Sequence, residues 1–286
     1  MGKTKIEWTD KVWNPVTGCT KVSEGCRNCY AETMAKRFWR DRPFSEVRCH
    51  AERLEEISHW RKPVKIFVNS MSDLFHDDVP DDFIWKVFDK ITRGNRRHTY
   101  MILTKRPRRM LEWFKKYQEK FWHYHAPGEP NRPYVVASWP DPCLWLGVSV
   151  EDQKTADERI PILLQIPAAI RFVSVEPMLG VVDLEPYLQY PPFHEYYKHT
   201  FGLTEWRGLD WVICGGESGP GARPMHPDWA RAVVKQCSMA DIPIFVKQLG
   251  SVWAKENTAH SNGGDLNKFP ADLRIREFPS IHSSEQ

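Results

Sequence analysis

Leu144 to Val150 reads LWLGVSV and runs directly into Glu151 and Asp152. Seven residues without a charge, then two acids, describe a strand buried on both faces that ends in a polar edge. The same pattern recurs. Val64 to Asn69 (VKIFVN) precedes Ser70, Ser72 and Asp73, and Thr99 to Thr104 (TYMILT) precedes Lys105 and Arg106. Ile170 to Val175 (IRFVSV) precedes Glu176, Trp211 to Gly215 (WVICG) precedes Gly216, Glu217 and Ser218, and Ile242 to Lys247 (IPIFVK) precedes Gln248. Amphipathic helical patterns fall between most of these runs. Asp81 to Arg93 carries Phe83, Ile84, Val87, Phe88 and Ile91 at helical spacing behind a Pro80-Asp81 start signal. Arg108 to Lys120, Lys154 to Gln165 (limited by Pro161), Pro227 to Met239 and Tyr30 to Arg40 read the same way. Strands alternating with helices predict parallel βαβ units with right-handed crossovers. The expected fold is α/β, a partial (β/α)6 barrel resembling a TIM barrel, with parallel strands inside and helices outside. In such folds the site lies at the C-terminal edge of the strands, where the polar residues cluster here.

The chain has 286 residues, 41% hydrophobic and 27% charged, with a formal net charge of +3. That length suits one α/β barrel, and a core of that size needs no disulfide or metal as a staple. The expected domain spans residues 1–255, with a cysteine loop at 17–30 and insertions near 123–142 and 183–208. Residues 256–286 read as a polar tail. The mild charge permits an anionic partner without announcing one. No run approaches the roughly 18 apolar residues needed to cross a bilayer. The first twenty residues lack the apolar stretch of a secretory signal. A cytoplasmic protein with no membrane partner is expected, and oligomeric state is not encoded in any feature of the sequence.

Seven cysteines are an odd number, unevenly spaced, and read as thiols or metal ligands. Three are clustered: Cys19, Cys26 and Cys29, in CTKVSEGCRNC. Three thiolates on one loop can reach a common centre, and Gly18 and Gly25 let the backbone turn tightly beside two of them. Three ligands would leave one iron of a [4Fe-4S] cluster open to a small molecule. A structural zinc would want a fourth ligand, and only Cys49 and His50 lie near in sequence. A cluster used only for structure or electron transfer, or cysteines without a metal, are the remaining readings. Cys49, Cys143, Cys214 and Cys237 are scattered and read as packing residues. Trp8 and Trp13, beside the cysteine loop, read as shields for it. His76 and His226 read as ordinary hydrogen-bonded histidines.

The segments IEWTDKVWNPVTGC, GCRNCYAE, FVNSMSDLFH, LTKRP, WLGVSVED, RFVSVEPMLG, DWVICGGESGPGARPMHPDW and FVKQLG resemble the phage Gp37/Gp68 family, a domain of unknown function. The cysteine loop followed by strand–helix alternation is also similar to the radical S-adenosylmethionine superfamily. That superfamily commonly spaces its cysteines C-x3-C-x2-C; here the spacing is C-x6-C-x2-C. The second resemblance implies an enzyme with a [4Fe-4S] cluster and S-adenosylmethionine as cofactors, fed by an external electron donor and generating a 5′-deoxyadenosyl radical. On that basis Cys19, Cys26 and Cys29 are the expected metal ligands. Asn69, Ser70, Ser72, Asp73, Ser149, Glu151, Gly215 and Gly216 are the expected cofactor-binding residues. Glu176, Glu217 and Lys105 are the expected catalytic residues. Arg106, Arg223 and Lys247 would bind an anionic substrate such as a nucleotide or a nucleic-acid base, for modification or repair. The alternatives are a non-catalytic nucleic-acid-binding protein with a structural iron–sulfur or zinc site, and a metal-dependent hydrolase using Asp73, Glu151, Glu176 and Glu217.

Overall fold

In the computed structural model, residues 4, 6–39, 42–122, 124–125, 133–134, 140–188, 208–257 and 262–280 are described. Most of the two expected insertions, 123–142 and 183–208, lies outside them. Seven strands form one parallel sheet: β1 (Lys11–Trp13), β2 (Lys65–Val68), β3 (Thr99–Thr104), β4 (Leu144–Val150), β5 (Ile170–Val175), β6 (Trp211–Gly215) and β7 (Ile244–Gln248). The strands neighbour one another in chain order, and that order never reverses. With crossovers of a single hand, such an order places every helix on the same face, and the sheet curls into a half-barrel. The six expected runs are all strands. The seventh, β1, is three residues long and, among the described residues, is paired to β2 only. It is too short to show a period of its own.

The helices are α1 (Tyr30–Phe38), α2 (Asp81–Gly94), α3 (Pro107–Trp122), α4 (Gln153–Leu163), α5 (Glu185–Leu188), α6 (Pro227–Met239) and α7 (Gly250–Glu256). Helix α4 begins on a capping box, with Asp152 accepting from the Thr155 amide, and it runs two residues past Pro161. Among the described residues, no helix is long and apolar enough to cross a membrane.

Side chains alternate across the sheet. Leu146, Val148 and Val150 of β4, with Val173, Val175, Val212 and Val246, pack outward in one core with Ile84 and Phe88 of α2, Trp113 of α3, Ile160 of α4 and Val233 of α6. The inward positions form a second core. Met101, Trp145, Ile170, Phe172, Trp211, Ile213 and Phe245 pack there around Trp8, which precedes β1. Along each strand this inward face becomes smaller and more polar toward the C-terminal end. On β4 it passes from Trp145 through Gly147 to Ser149; β5 passes from Ile170 and Phe172 to Ser174; β3 passes from Met101 and Leu103 to Lys105. A β-carbon at Gly147 would lie 2.6 Å from the Phe172 ring, so the missing side chain is the space that ring occupies. The half-barrel is plugged with aromatic rings at its base and opens into a polar mouth.

Residues 262–280 are irregular but packed. Phe269 and Leu273 are buried in the outer core, the Val246 amide donates to Ile275 O at 2.9 Å, and Trp211 Nε1 donates to Glu277 O at 2.9 Å. The stretch expected as a polar tail therefore covers the outer edge of β7.

Candidate functional site

The cysteine loop leaves the C-terminal end of β1 and runs into α1, with Cys29 the residue before its first, Tyr30. Gly18 is held at φ +93 against Phe44 and Glu46, where a β-carbon would overlap backbone. A β-carbon at Gly25 would overlap the Glu151 side chain. Gly18 thus makes the tight turn expected of it, whereas Gly25 is required by the close approach of Glu151 and not by its backbone angles.

Three sets of contacts tie this loop to the strand ends. The first joins Thr20 to the end of β3. Arg106 Nη2 donates to Thr20 O at 3.1 Å and to Thr20 Oγ1 at 3.0 Å. His76 Nδ1 accepts from the Asp78 amide at 3.1 Å, which leaves the ring proton on Nε2 to donate to Thr20 Oγ1 at 2.7 Å. The second joins Ser23 to the end of β4: Ser23 Oγ donates to Glu151 Oε1 at 3.0 Å. The third joins Asn28 to the end of β6: Asn28 Nδ2 donates to Glu217 Oε2 at 2.9 Å.

The three thiols meet different surroundings. Cys19 Sγ accepts from Arg106 Nη1 at 3.6 Å, Cys26 Sγ lies 4.0 Å from Ser23 Oγ, and Cys29 sits at the start of α1, where the Ala31 and Glu32 amides favour its thiolate. Both Cys19 and Cys29 feel the charge of Cys26, so each lies near it. Burial, with the Asp73 charge, pushes the Cys19 thiol up to about 11 against the opposing pull of Arg106. Burial also raises Cys29. Thiols so desolvated become thiolates when a bound cation compensates their charge. Among the described residues, no three His, Cys, Asp or Glu side chains close on one point as ligands of a single ion.

A cavity of about 360 Å³ occupies the mouth of the half-barrel. Its floor is Trp8, Phe67 and Leu103, one wall is Cys29 with Tyr30 and Asn28, and the strand ends supply Ser70, Lys105, Ser149, Ser174, Glu176, Gly216, Glu217, Lys247 and Gln248. The structure thus gathers Cys29, Ser70, Lys105, Ser149, Glu176, Gly216, Glu217 and Lys247 from the expected set. Glu176 Oε1 accepts from Lys247 Nζ at 2.6 Å and from Gln248 Nε2 at 2.8 Å. Ser149 Oγ donates to Glu176 O at 3.1 Å. Trp8 is 3% exposed and its Nε1 finds no acceptor among the described residues. Buried N–H groups are costly to leave unpaired, and this one belongs to a ring that lines the cavity floor.

Other expected residues stand behind the cavity wall. Asp73 is buried and accepts from Thr104 Oγ1 at 2.7 Å, from the Phe75 and Lys105 amides at 3.0 Å each, and from Arg106 Nη1 at 3.3 Å. Glu151 is buried between Lys105, Arg159 (3.2 Å) and Ser23. Asn69, at φ +62, accepts from the Val16 amide, and Ser72 donates to Val16 O. These four carry internal contacts, and they shape the loop and its tethers. Arg106 and Arg223 pair with Asp73 and Glu217 and do not line the cavity. Arg223 donates to both oxygens of Glu217, at 2.7 and 3.0 Å. Burial pushes the Glu217 carboxyl up, but the hydrogen bonds from Arg223 and Asn28 outweigh it and hold the group below the usual carboxylate range. Gly215 lies off the cavity, and Gly216 is demanded by packing, since a β-carbon there would meet the Leu249 backbone at 2.8 Å.

Cys143, Cys214 and Cys237 are buried as expected, whereas Cys49 is exposed on the short strand Arg48–Cys49, which pairs with Val16–Thr17. Trp13 does not reach the cavity; it is buried in the outer core and donates to Arg53 O at 2.8 Å. His226 caps α6. Ser174, Asn28 and Arg159 were missed. Ser174 shares the inward face of β5 with Phe172, and this alternation was the available signal.

Residues 3–272 match the family described as "Protein of unknown function (DUF5131)". No curated protein and no solved structure matches the chain. The match spans nearly the whole half-barrel together with its cysteine loop, and the chain belongs to the DUF5131 family.

Proposed function

We propose that the chain is an iron–sulfur enzyme of the radical S-adenosylmethionine type that acts on a nucleotide or a nucleic-acid base. One observation carries the reading: Cys29, the last of three clustered thiols, forms part of the wall of a cavity at the C-terminal mouth of a parallel half-barrel. A metal centre on that loop would be continuous with a small-molecule site. The cavity's volume of about 360 Å³ falls in the range of ligand pockets. The donor set fits: three thiols are soft ligands suited to iron–sulfur chemistry, and they leave a coordination position for a cofactor. The similarity of the cysteine loop and the strand–helix alternation to the radical S-adenosylmethionine superfamily supports the same reading.

Cys19, Cys26 and Cys29 would hold the cluster. Bound together, cluster and S-adenosylmethionine supply one-electron reduction of a sulfonium and hydrogen-atom abstraction from substrate. The chain's own residues bind, orient and shield. Trp8, Phe67 and Leu103 keep water from the floor. Trp8 Nε1 offers a donor to an acceptor atom on a ligand. Ser149 and Ser174 present hydroxyls, and Lys247 with Gln248 fixes the Glu176 carboxylate at the cavity wall. Lys105, paired with Glu151, lines the opposite side and would face an anionic group there.

The test is anaerobic reconstitution of the full chain with iron and sulfide, then incubation with S-adenosylmethionine and a reductant. A brown protein that releases 5′-deoxyadenosine is expected. A colourless protein carrying one zinc per chain would overturn the reading and favour a structural metal. Brown protein that leaves S-adenosylmethionine intact would reduce the cluster to electron transfer or structure.

A further inference from the structure

We infer that Arg106 is a positioning residue for the cysteine centre, and that its guanidinium, by donating to Cys19 Sγ, raises the reduction potential of a cluster held there. This deepens the iron–sulfur reading and rests on it. Three observations lead to it. Arg106 Nη1 lies 3.6 Å from Cys19 Sγ and 3.3 Å from Asp73 Oδ2, while Nη2 holds Thr20. Both side chains of the Arg106–Asp73 pair are 8% exposed, so the charges are shielded from water. The three thiols also differ: Cys26 has the Ser23 hydroxyl and Cys29 has backbone amides, so a cationic donor reaches Cys19 only, among the contacts of the described residues.

The physics gives a sign. Reduction adds one negative charge, spread over irons, sulfides and thiolate sulfurs. A charge-assisted hydrogen bond to one of those sulfurs stabilises the reduced state more than the oxidised state. Asp73 opposes this. Its carboxylate is fixed by Thr104 and by the Phe75 and Lys105 amides, and it cancels part of the guanidinium's field at the centre. Loss of the two partners should therefore move the potential in opposite directions. Arginine suits the position because one planar fork serves Asp73, Cys19 and Thr20 at once; a lysine would keep the charge and lose the fixed geometry.

The experiment is a spectroelectrochemical titration of the reconstituted full chain and of Arg106→Met, Arg106→Lys and Asp73→Asn. In Arg106→Met the equilibrium constant for reduction is expected to fall about tenfold, which is about 59 mV more negative for a one-electron couple. Arg106→Lys should lie between that variant and the parent protein, and Asp73→Asn should move the other way. A loop merely loosened by mutation would lower iron content without producing opposite shifts. Potentials that do not change, or that shift in the same direction for Arg106→Met and Asp73→Asn, would overturn the inference while leaving the iron–sulfur reading standing. If Asp73→Asn does not fold, the order of the two Arg106 variants decides, and a lysine variant equal to the methionine variant counts against it. A parent protein that takes up no cluster overturns both.

Discussion

Lys105 and Arg106 are neighbours in sequence, and as a sequence they read as two cations on one rim. The structure separates them. Lys105 continues the inward face of β3 and pairs with Glu151 at the cavity, while Arg106 pairs with Asp73 and reaches Cys19. The period of 2 that sends adjacent side chains to opposite faces was readable; the partner on each face was not, because Asp73 and Glu151 come from other strand ends. Glu217 shows how much a partner changes a residue. Expected as a catalytic carboxylate, it is clamped by Arg223 and Asn28, which hold its folded pKa below the unfolded one. Its contribution to stability is then complete above the usual carboxylate range and is lost as pH falls through the lowered value. Acidification through that lowered value is expected to release the Gly216–Arg223 turn, read as a fall in amide protection relative to the intrinsic exchange rate at each pH. Glu217→Gln should remove the pH dependence of protection there. The same acid-induced loss of protection in the Gln variant would show that another group controls the turn.

At the scale of elements, the cysteine loop is the part of the site that sequence located best. Its spacing, its two glycines and its junction with α1 were all legible because they are local. Its tethers were not. Ser23, Thr20 and Asn28 each bond to a residue more than fifty positions away, and no period in the chain records such a pairing. Gly25 is where local and distant constraints meet, since the Glu151 side chain fills the space a β-carbon would need. Gly25→Ala should push the Glu24–Cys26 turn away from β4. The cost of such overpacking is about 1–3 kcal/mol. The expected signature is a fall in reconstituted iron of about twofold or more with far-ultraviolet circular dichroism unchanged, because the sheet's cores do not include this turn. Full iron loading in the alanine variant would mean that the loop adapts and that the tether to Glu151 does not shape the centre.

For the molecule as a whole, strand–helix alternation predicted the half-barrel, and the polar residues after each apolar run mark the end at which the cavity opens. Two features escaped. Strand β1 is only three residues long, and residues 262–280 have a composition that reads as a tail although Phe269 and Leu273 are buried. An open half-barrel has two edges, and an exposed edge invites pairing with other chains. On the β7 side that edge is covered: Ile275 O accepts from Val246, the Glu277 amide donates to Ile244 O, and the Phe278 ring lies 5.3 Å from the Trp211 ring and 5.4 Å from the Phe245 ring. Full burial of Phe269 and Leu273 alone contributes about 3–6 kcal/mol, a large share of the roughly 5–15 kcal/mol that holds a typical domain folded. Truncation after Asn257 should therefore leave a chain that unfolds at markedly lower urea or aggregates through the uncovered edge of β7. Phe269→Ala in the full chain isolates the packing part and should cost about 3–5 kcal/mol in urea denaturation. A truncated chain with the parent's urea midpoint would show that the segment rests on the fold without supporting it. The more informative result is an alanine variant that is destabilised yet monomeric beside a truncated chain that aggregates. That pair of outcomes would assign the segment two separable roles, filling the outer core through Phe269 and Leu273 and closing the edge through its backbone.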